Sequence, residues 1–483
     1  MGIPLLLAAS LLAGTPSAAT SPPAAASTSP GTATPPAALP TPMPPATASP
    51  TAPSPASPPG GAPATASRVL TLAEAVQSAL AHQPQLAQAT AGTRAAVARA
   101  DEARSGLLPQ VTGSASYTRE TANFAPRPGA IPSSLGGSSS SWNTVNYYSF
   151  GATLSQLIYD FGQTPGKWRA AQASARAQGD SERATRNQVL LGVQTAFFTA
   201  RAAKDLVGVA RDTLANQNLH LRQSEGFVRA GTRPEIDLAQ ARTNVANAQV
   251  QLINARNTYE TTKAQLNQAM GVDGPTDYDV ASDTLPQVSS EEQPLEALVT
   301  QAVSRRPDYV ALQEQARAQE LSLRAVKGNY WPSLGFSTGV TNQGQAIDST
   351  VWNWSATVGL TWNLFQGGLT RAQAQEAQAN LEAARAQAEV LRQQVRVDVV
   401  QFSLAVRAGK EALAAAGQAL VNAKEQLRLA EGRYRAGVGN IIELSDAQVA
   451  LTSAAAQRVQ AEYNLSTSRA QLLRALGQGL PDA

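Results

Sequence analysis

Hydrophobic residues recur at every seventh position along two long stretches of the chain. The first stretch carries them at Val193, Ala200, Val207, Leu214, Leu221 and Val228. The second stretch carries them at Val399, Val406, Leu413, Leu420, Leu427 and Tyr434. A strict seven-residue period over this many turns is typical of helices that supercoil around a partner. The sequence therefore predicts two long coiled-coil helices, one from Gly162 to Gly231 and the other from Gly368 to Gly437.

Each stretch ends at a glycine, and the seven-residue period resumes beyond it. The resumed positions are Leu238, Val245, Leu252, Tyr259 and Leu266 in the first case, and Leu444, Leu451, Arg458, Leu465 and Leu472 in the second. We expect the chain to reverse at each glycine and to pack a second helix against the first. A helix of about 69 residues spans about 100 Å. Its faces carry too many Arg, Gln and Glu residues to contact lipid, so these helices belong in water.

Shorter segments between the helices alternate between apolar and polar residues. In "VWNWSATVGLTWNL", residues 351–364, the Trp, Val and Leu side chains fall on one face and the Asn, Ser and Thr side chains on the other. The segments "SLGFSTGVT", "VTGSASYT" and "VNYYSFGATLSQLIY" alternate in the same way. A period of two predicts β-strands with one apolar and one polar side. The sequence therefore predicts two hairpins, or four strands in all.

All six tryptophans lie in or close to these strands. Aromatic residues at strand ends form the interfacial girdles of outer-membrane barrels. We expect such girdle positions at Trp142, Trp331, Trp352, Trp354 and Trp362. A β-sandwich with an aromatic core is the alternative. Four strands cannot close a barrel, so a barrel requires strands from several copies of the chain.

The chain is an internal duplication. Pro84 and Pro307 lie 223 residues apart, as do Pro109 and Pro332, whereas the glycine pairs Gly162/Gly368 and Gly231/Gly437 lie 206 residues apart. The first copy therefore holds 17 extra residues between its second proline and its first glycine. We predict two repeats, residues 67–273 and 291–479, with a linker at 274–290 and a tail at 480–483. The extra residues include the segment 127–141, which is expected to lie free outside the barrel.

The N-terminal region is predicted to be removed or unstructured. Residues 1–19 read as a signal peptide with a short apolar core and small residues for cleavage, and an apolar cytosolic N-terminus is the alternative. Residues 20–66 consist almost wholly of Pro, Ala, Ser, Thr and Gly, a composition that buries too little apolar surface to order itself. No later apolar run reaches the length of about 18 residues that a membrane-spanning helix needs. Any membrane crossing is therefore expected to use strands.

The composition argues against most kinds of catalytic, metal-binding or nucleic-acid-binding site. The 38 basic and 35 acidic residues nearly cancel, which gives little support to nucleic-acid binding, and cysteine is absent. The two histidines are too few for most metal or acid–base sites, and His220 is read as an ordinary polar helix position. The aspartates Asp277, Asp279 and Asp283 of the linker are read as a solvated loop rather than a cation site. We predict no catalytic residues, no cofactor and no metal.

Several short motifs occur twice and in the same order. The paired motifs are the "RAG" turns at Arg229–Gly231 and Arg435–Gly437, "YDFG" and "FQGG" before the long helices, and "LPQ" and "WPS" before the strands. The second copy also ends in "ALG" at Ala475–Gly477. Over residues 67 to 479 the chain resembles the TolC-type outer-membrane efflux proteins. The resemblance implies a mixed α/β membrane protein that forms a homotrimer. A shared barrel of twelve strands would lie in the outer membrane of a Gram-negative bacterium, above a helical tunnel in the periplasm.

The resemblance also implies a passive export conduit that works with a periplasmic adaptor and an inner-membrane pump, driven by protons or by ATP. The adaptor is expected to dock on the two turns, at Arg229, Gly231, Thr232 and Arg233 and at Arg435, Gly437, Val438 and Gly439. Relatives place a basic residue where this chain has Gly439, and we expect Arg233 to substitute for it. The exported substrate stays open.

By the same resemblance, Tyr434 and Asp237 match a latch, and Glu443 and Asp446 match carboxylates around the inner opening. The alternative is purely structural, because glycines terminate helices and Asn440 and Glu443 have capping-box spacing. A secreted or periplasmic coiled-coil tether would explain the seven-residue period but not the Trp-rich hairpins. A periplasmic hydrolase would need a nucleophile arrangement that the sequence does not offer.

Overall fold

The computed structural model describes residues 68–121, 142, 144–288 and 291–478 of the 483-residue chain. The predicted signal peptide, the leader at 20–66, the segment 127–141 and the tail at 480–483 lie outside the described residues. In chain order the elements are β1 (Arg68–Leu70), α1 (Leu72–His82), α2 (Pro84–Ser105), β2 (Gln110–Thr121), β3 (Thr144–Tyr159), α3 (Gln163–Arg229), α4 (Glu235–Met270), β4 (Tyr278–Val280), α5 (Leu295–Arg305), α6 (Pro307–Gly328), β5 (Ser333–Gly344), β6 (Val351–Thr361), α7 (Leu369–Arg435) and α8 (Ile441–Ala475).

The two long helices α3 and α7 are each 67 residues long. Each follows a glycine in the left-handed conformation, Gly162 with φ 87° and Gly368 with φ 86°, which a side chain would strain. Helix α3 packs along α4, and α7 packs along α8. The predicted apolar seam is buried or half-buried throughout, with the single exception of Arg458 on α8, which is exposed. The predicted coiled-coil hairpins are confirmed.

The four longer strands form one antiparallel sheet in the order β2-β3-β5-β6. The register places Ala152 opposite Val340 and Val340 opposite Trp354, so these residues share one face. Because side chains alternate along a strand, every Val, Leu, Phe and Trp of β5 and β6 except Val351 falls on that face. Ser, Thr, Asn, Gln and Gly fill the opposite face. The predicted two-sided sheet is confirmed.

Aromatic side chains gather where the sheet meets the helices. The Phe161 and Trp331 rings stack with centroids 5.4 Å apart, and Tyr159 lies 4.9 Å from Phe161. The indole nitrogen of Trp362 donates to the Tyr330 carbonyl at 3.1 Å. All five predicted girdle residues (Trp142, Trp331, Trp352, Trp354 and Trp362) are exposed. Their contact with a membrane interface stays a prediction.

The linker between the repeats is more ordered than the sequence analysis expects. Its residues Tyr278–Val280 form β4, which pairs in parallel with β1 from the start of the chain. Val280 and Leu285 are fully buried in the core beneath α1 and α3. The prediction of a solvated loop is wrong here, because Val280 and Leu285 pack into the apolar core. The polar residues of the segment lie beside this packed region.

Two of the three linker aspartates, Asp279 and Asp283, have structural partners, whereas Asp277 is exposed. Asp279 accepts hydrogen bonds from Lys204 at 2.8 Å and from Tyr259 at 2.7 Å, and Asp283 accepts one from the backbone of Leu72 at 2.9 Å. Burial alone would raise the pKa of Asp279, but the bonds from Lys204 and Tyr259 outweigh it and hold that pKa below its usual value. The carboxylates therefore fasten the linker to the helices.

A buried network of ion pairs connects the junction of α5 and α6 to α7 within the second repeat. Arg306 is buried and donates to Asp308 at 2.7 and 3.0 Å and to Asp398 of α7 at 2.7 Å. Burial would raise the pKa of Asp308, but the bonds and charge of Arg306 outweigh it and lower that pKa. The network therefore stabilises the folded state fully above the ordinary aspartate pKa of about 3.9. This stabilisation is lost as pH falls through the lowered pKa of Asp308.

We expect Arg306→Ala to lower the midpoint of thermal unfolding by several degrees, since breaking a buried ion pair costs about 3–5 kcal/mol. Arg305→Ala removes the exposed neighbouring arginine and is the matched control. Circular dichroism of both variants between pH 7 and pH 3 measures the effect. Equal unfolding midpoints for the two variants at pH 7 would show that the network does not stabilise the fold.

Candidate functional site at the helix tips

The chain reverses direction at the ends of α3 and α7, which lie far from the sheet where these helices begin. At the first, the backbone N–H groups of Gly231 and Thr232 donate to the carbonyls of Val228 and Phe227 at 2.9 and 3.0 Å. At the second, Gly437 and Val438 donate to Tyr434 and Arg433 at 3.2 and 3.1 Å. This pair of bonds is the Schellman motif, which places a left-handed residue just after a helix. Gly231 and Gly437 have φ of 73° and 80°, so both glycines do terminate helices.

The two turns differ in the residues that lie between the glycine and the next helix. Asn440 caps α8 by accepting from the Glu443 backbone at 2.8 Å, whereas Pro234 precedes α4 without a side-chain cap. Gly439 is buried, and a Cβ built on it would lie 3.0 Å from the Tyr434 nitrogen. Close packing therefore restricts this position to a very small residue. Arg233 of the first turn donates to the Gly439 carbonyl at 2.7 Å, and its substitution for a basic residue at position 439 stays a prediction.

Tyr434 lies at the centre of the contact between the two turns. Its side chain is the largest of those that are fully buried, with 1% of the residue exposed. The ring meets Phe227 edge-on with centroids 5.8 Å apart, and the Arg233 guanidinium lies 4.9 Å from its centroid. Its hydroxyl is 3.4 Å from the Ser224 hydroxyl. Tyr434 on the second hairpin is thus held by three residues of the first.

The predicted acidic residues occupy three different environments. Asp237 is 6% exposed in the first turn of α4. Glu443 is exposed and pairs with Arg433 at 3.1 Å, so an adjacent charge offsets its own. Asp446 is exposed and makes no ion pair with any residue that the structure describes. Within one chain Tyr434 lies against Ser224 and Arg233, and its pairing with Asp237 stays a prediction.

The long helices bring further residues to this contact that the sequence analysis missed. His220 is 3% exposed, and its Nε2 lies 3.6 Å from Glu431 Oε1 on α7. His220 is a polar helix position as expected, but the sequence gave no indication that it is buried beside Glu431 of α7. His220, Ser224 and Phe227 are spaced to share one face of α3. Two polar residues and one aromatic residue at this spacing, on a face other than the apolar seam, could have indicated the contact from the sequence.

The contact between the two hairpins is polar over much of its length. The hydrogen-bonded pairs are Thr213 and Thr452 at 3.1 Å, Gln217 and Gln448 at 2.5 Å, and Asn244 and Ser445 at 3.3 Å. Each hairpin, by contrast, is closed internally by the apolar seam. Contacts within each hairpin are thus mainly apolar, whereas hydrogen bonds are frequent between the hairpins, with Tyr434 on Phe227 as an apolar exception at the tip.

The described residues hold no group of three or more His, Asp or Glu side chains placed to ligate a metal ion. Within the same part of the chain, no helix combines the length and apolarity needed to cross a membrane.

A comparison with known families matches the model described as "Outer membrane efflux protein" at residues 75–272 and 298–478. The match covers both repeats and most of the chain. This chain belongs to that family. The efflux protein is therefore an outer-membrane channel for export, as the resemblance of its turn, strand and helix motifs predicts.

Individual relatives agree with this membership. The efflux protein is 24% identical over 435 residues to the outer membrane protein TolC of Escherichia coli, covering 86% of this chain and 83% of the relative. It is 27% identical over 421 residues to the pyoverdine export outer membrane protein OpmQ of Pseudomonas putida, covering 84% and 86%.

Solved structures show the same fold. A membrane protein from Pseudomonas aeruginosa superposes with a TM-score of 0.75 at 21% identity, covering 84% of this chain and 92% of that one. The CmeC outer membrane channel of Campylobacter jejuni superposes with a TM-score of 0.73 at 20% identity, covering 85% and 86%. The predicted combination of a β-sheet with long helical hairpins in two repeats is confirmed.

Proposed function

We propose that the efflux protein is a homotrimeric, passive conduit that closes at the helix tips and opens when a periplasmic adaptor and an inner-membrane pump dock there. The observation that carries the proposal is the sheet order. Strands β2 and β6 stand at the two edges, each paired on one side only within the described chain. Unpaired backbone groups are not tolerated in lipid, so further copies must supply the missing neighbours.

A second apolar seam on the helices supports the same assembly. Val390, Val397 and Leu404 of α7 are spaced by seven and are more than half exposed in the single chain. Ile442 and Val449 of α8 repeat the spacing and are also exposed. An exposed apolar stripe with coiled-coil period is a helix interface without its partner. Neighbouring copies of the chain are the natural partners, because the sheet edges require the same copies.

The adaptor and pump are inferred from relatives. OpmQ of Pseudomonas putida is named for pyoverdine export, and TtgF of the same species is named as a toluene efflux pump outer membrane protein. The exposed turn residues offer a docking surface: Arg229, Gly231, Thr232, Arg435, Gly437 and Val438. Arg233 and Gly439 lie beneath that surface and hold the two turns together.

Introduced cysteines test the trimer directly, since the natural chain has none. One cysteine at Thr112 of β2, combined in turn with cysteines along β6, is expected to give disulfide-linked dimers and trimers on non-reducing gels of outer membranes. The same protein in planar bilayers should form pores. Exclusively monomeric protein in detergent, together with absent pores, would refute the conduit.

The charge at the inner opening gives a separate prediction. Asp446→Ala is expected to lower the cation selectivity of single channels and their block by trivalent cations, because three-fold symmetry multiplies an unpaired surface charge. Glu443→Ala is the matched control and should have the smaller effect, since Arg433 already offsets that carboxylate. Reversal potentials in salt gradients measure both. Equal selectivity in the wild type and in Asp446→Ala would place the constriction elsewhere.

A further inference from the structure

His220 is one of only two histidines in the chain, and it lies in the contact between the hairpins. It occupies α3 one helical turn before Ser224, whose hydroxyl meets Tyr434. Its ring lies beside Glu431 of α7, and only 3% of the residue is exposed. The other histidine, His82, is exposed at the end of α1. A buried imidazole therefore lies directly in the surface that has to separate when the proposed gate opens.

The two ring nitrogens of His220 have unequal partners. Nδ1 lies 3.3 Å from the amide oxygen Oε1 of Gln223, and this oxygen accepts the ring proton in the tautomer that is protonated on Nδ1. Nε2 is buried and has no hydrogen-bond partner among the described residues. It faces Glu431 Oε1 at 3.6 Å, which exceeds the usual length of a hydrogen bond. Neither ring nitrogen therefore has a short hydrogen bond to the second hairpin, although Glu431 lies close to Nε2.

Charged groups of opposite sign act on His220 from α7. Glu431 favours the protonated ring, but its other oxygen accepts from Arg435 at 2.8 Å, and Arg435 opposes protonation. Gln223 on α3 favours the protonated ring as well. Burial is the largest influence, and it lowers the pKa of His220 below its ordinary value despite the nearby carboxylate. The packed contact therefore holds the ring neutral.

We infer that His220 makes the tip contact acid-sensitive, so that protons favour separation of the two hairpins and opening of the channel. This inference rests on the proposed gate and names its regulator. When the hairpins part, water reaches the ring and the cost of burying its charge disappears. Protonation is then favourable in the separated arrangement and unfavourable in the packed one. A ligand that binds one of two states better shifts the population towards that state, and here the ligand is the proton.

The direction follows from linkage. The packed contact has its full stability above the ordinary histidine pKa of about 6.5, and it loses stability as pH falls from there towards the lowered pKa. Within that window the ratio of closed to open channels falls by at most about tenfold per pH unit for each histidine. Three copies in a trimer would steepen the response.

The test is the conductance of reconstituted full-length protein at pH 7.5, 6.5 and 5.5. Wild-type channels are expected to open several-fold more often at pH 5.5 than at pH 7.5. His220→Gln keeps a neutral polar side chain at every pH and should remove this response. His82→Gln removes the exposed histidine and should keep it. An unchanged pH response in His220→Gln, or its loss in His82→Gln, overturns the inference.

A second variant covers the case in which His220→Gln does not assemble. Glu431→Gln keeps the histidine but removes the carboxylate that favours its protonation in the packed contact, so the pKa there falls further while the pKa of the separated ring is unchanged. The response should therefore begin at the same pH, continue to lower pH and have a larger total change. A smaller total change than in the wild type contradicts the inference. Conducting wild-type channels without pH dependence refute the acid sensor and leave the conduit standing. Protein that never conducts, even as Tyr434→Ala, refutes the conduit and the sensor together.

Discussion

Tyr434→Ala is expected to raise the resting conductance of the reconstituted channel about 100-fold. The substitution empties a site at which Tyr434 meets Phe227, Arg233 and Ser224 across the two hairpins. Replacing a buried aromatic side chain with alanine costs about 3–5 kcal/mol. If about 3 kcal/mol of this cost destabilises the closed state and not the open state, the ratio of closed to open channels falls about 100-fold, since 1.4 kcal/mol corresponds to a factor of ten.

Hydroxyl deletions provide a matched pair for this prediction. Tyr434 and Tyr463 both place their hydroxyl 3.4 Å from a hydroxyl of α3, that of Ser224 and that of Thr199. Tyr434→Phe combined with Asp237→Ala is expected to raise the resting conductance, whereas Tyr463→Phe, far from the tip, should leave it unchanged. Single-channel recordings decide between them. Wild-type conductance in Tyr434→Ala and in the double variant would mean that these residues only pack their helices.

Gly437→Trp is expected to abolish export while trimers still assemble and insert. A Cβ at Gly437 meets nothing within 4 Å, so the indole extends into solvent and covers the surface where the adaptor is proposed to dock. The backbone strain of a side chain in the left-handed conformation is about 1–2 kcal/mol, which is small against the stability of long packed helices. Gly231 has the same open surroundings, and Gly231→Trp should behave alike.

The control for strain is Gly437→Asn, because asparagine tolerates the left-handed conformation and adds little bulk. Growth of cells that carry the cognate adaptor and pump, exposed to a panel of toxic compounds, measures export. Outer-membrane fractions and heat-modified gel mobility measure assembly. Equal loss of export in the Asn and Trp variants would assign the defect to the backbone rather than to docking. Loss of trimers in Gly437→Trp would leave the glycine with a capping role alone.

Local periodicity accounts for the elements that the sequence predicts well. The seam residues Val193 and Val399 are fully buried because a seven-residue period defines one helix face whatever surrounds it. The strand faces follow from alternation in the same way. Strand β4 escaped prediction because three residues carry no period, and its partner β1 lies about two hundred residues earlier.

The tip depends on contacts that no local pattern reveals. The glycines at 231 and 437 are recognisable as helix ends, but the environment of His220 depends on how one hairpin lies on the other. That register comes from contacts such as Tyr434 on Ser224 and Arg233 on Gly439, which join residues more than two hundred positions apart. The composition shows that the chain has two histidines, but it does not show that one of them, His220, is buried.

The hydrogen-bonded contact between the hairpins has a thermal consequence. Pairs such as Thr213 with Thr452 and Gln217 with Gln448 expose mainly polar surface when they part. Exposing apolar surface raises the heat capacity and exposing polar surface lowers it. Tyr434 and Phe227 add some apolar surface at the tip, so opening as proposed should have a heat-capacity change that is small compared with that of unfolding. A plot of its equilibrium constant against inverse temperature should curve only weakly. Unfolding of a hairpin exposes its apolar seam, and the corresponding plot should curve strongly.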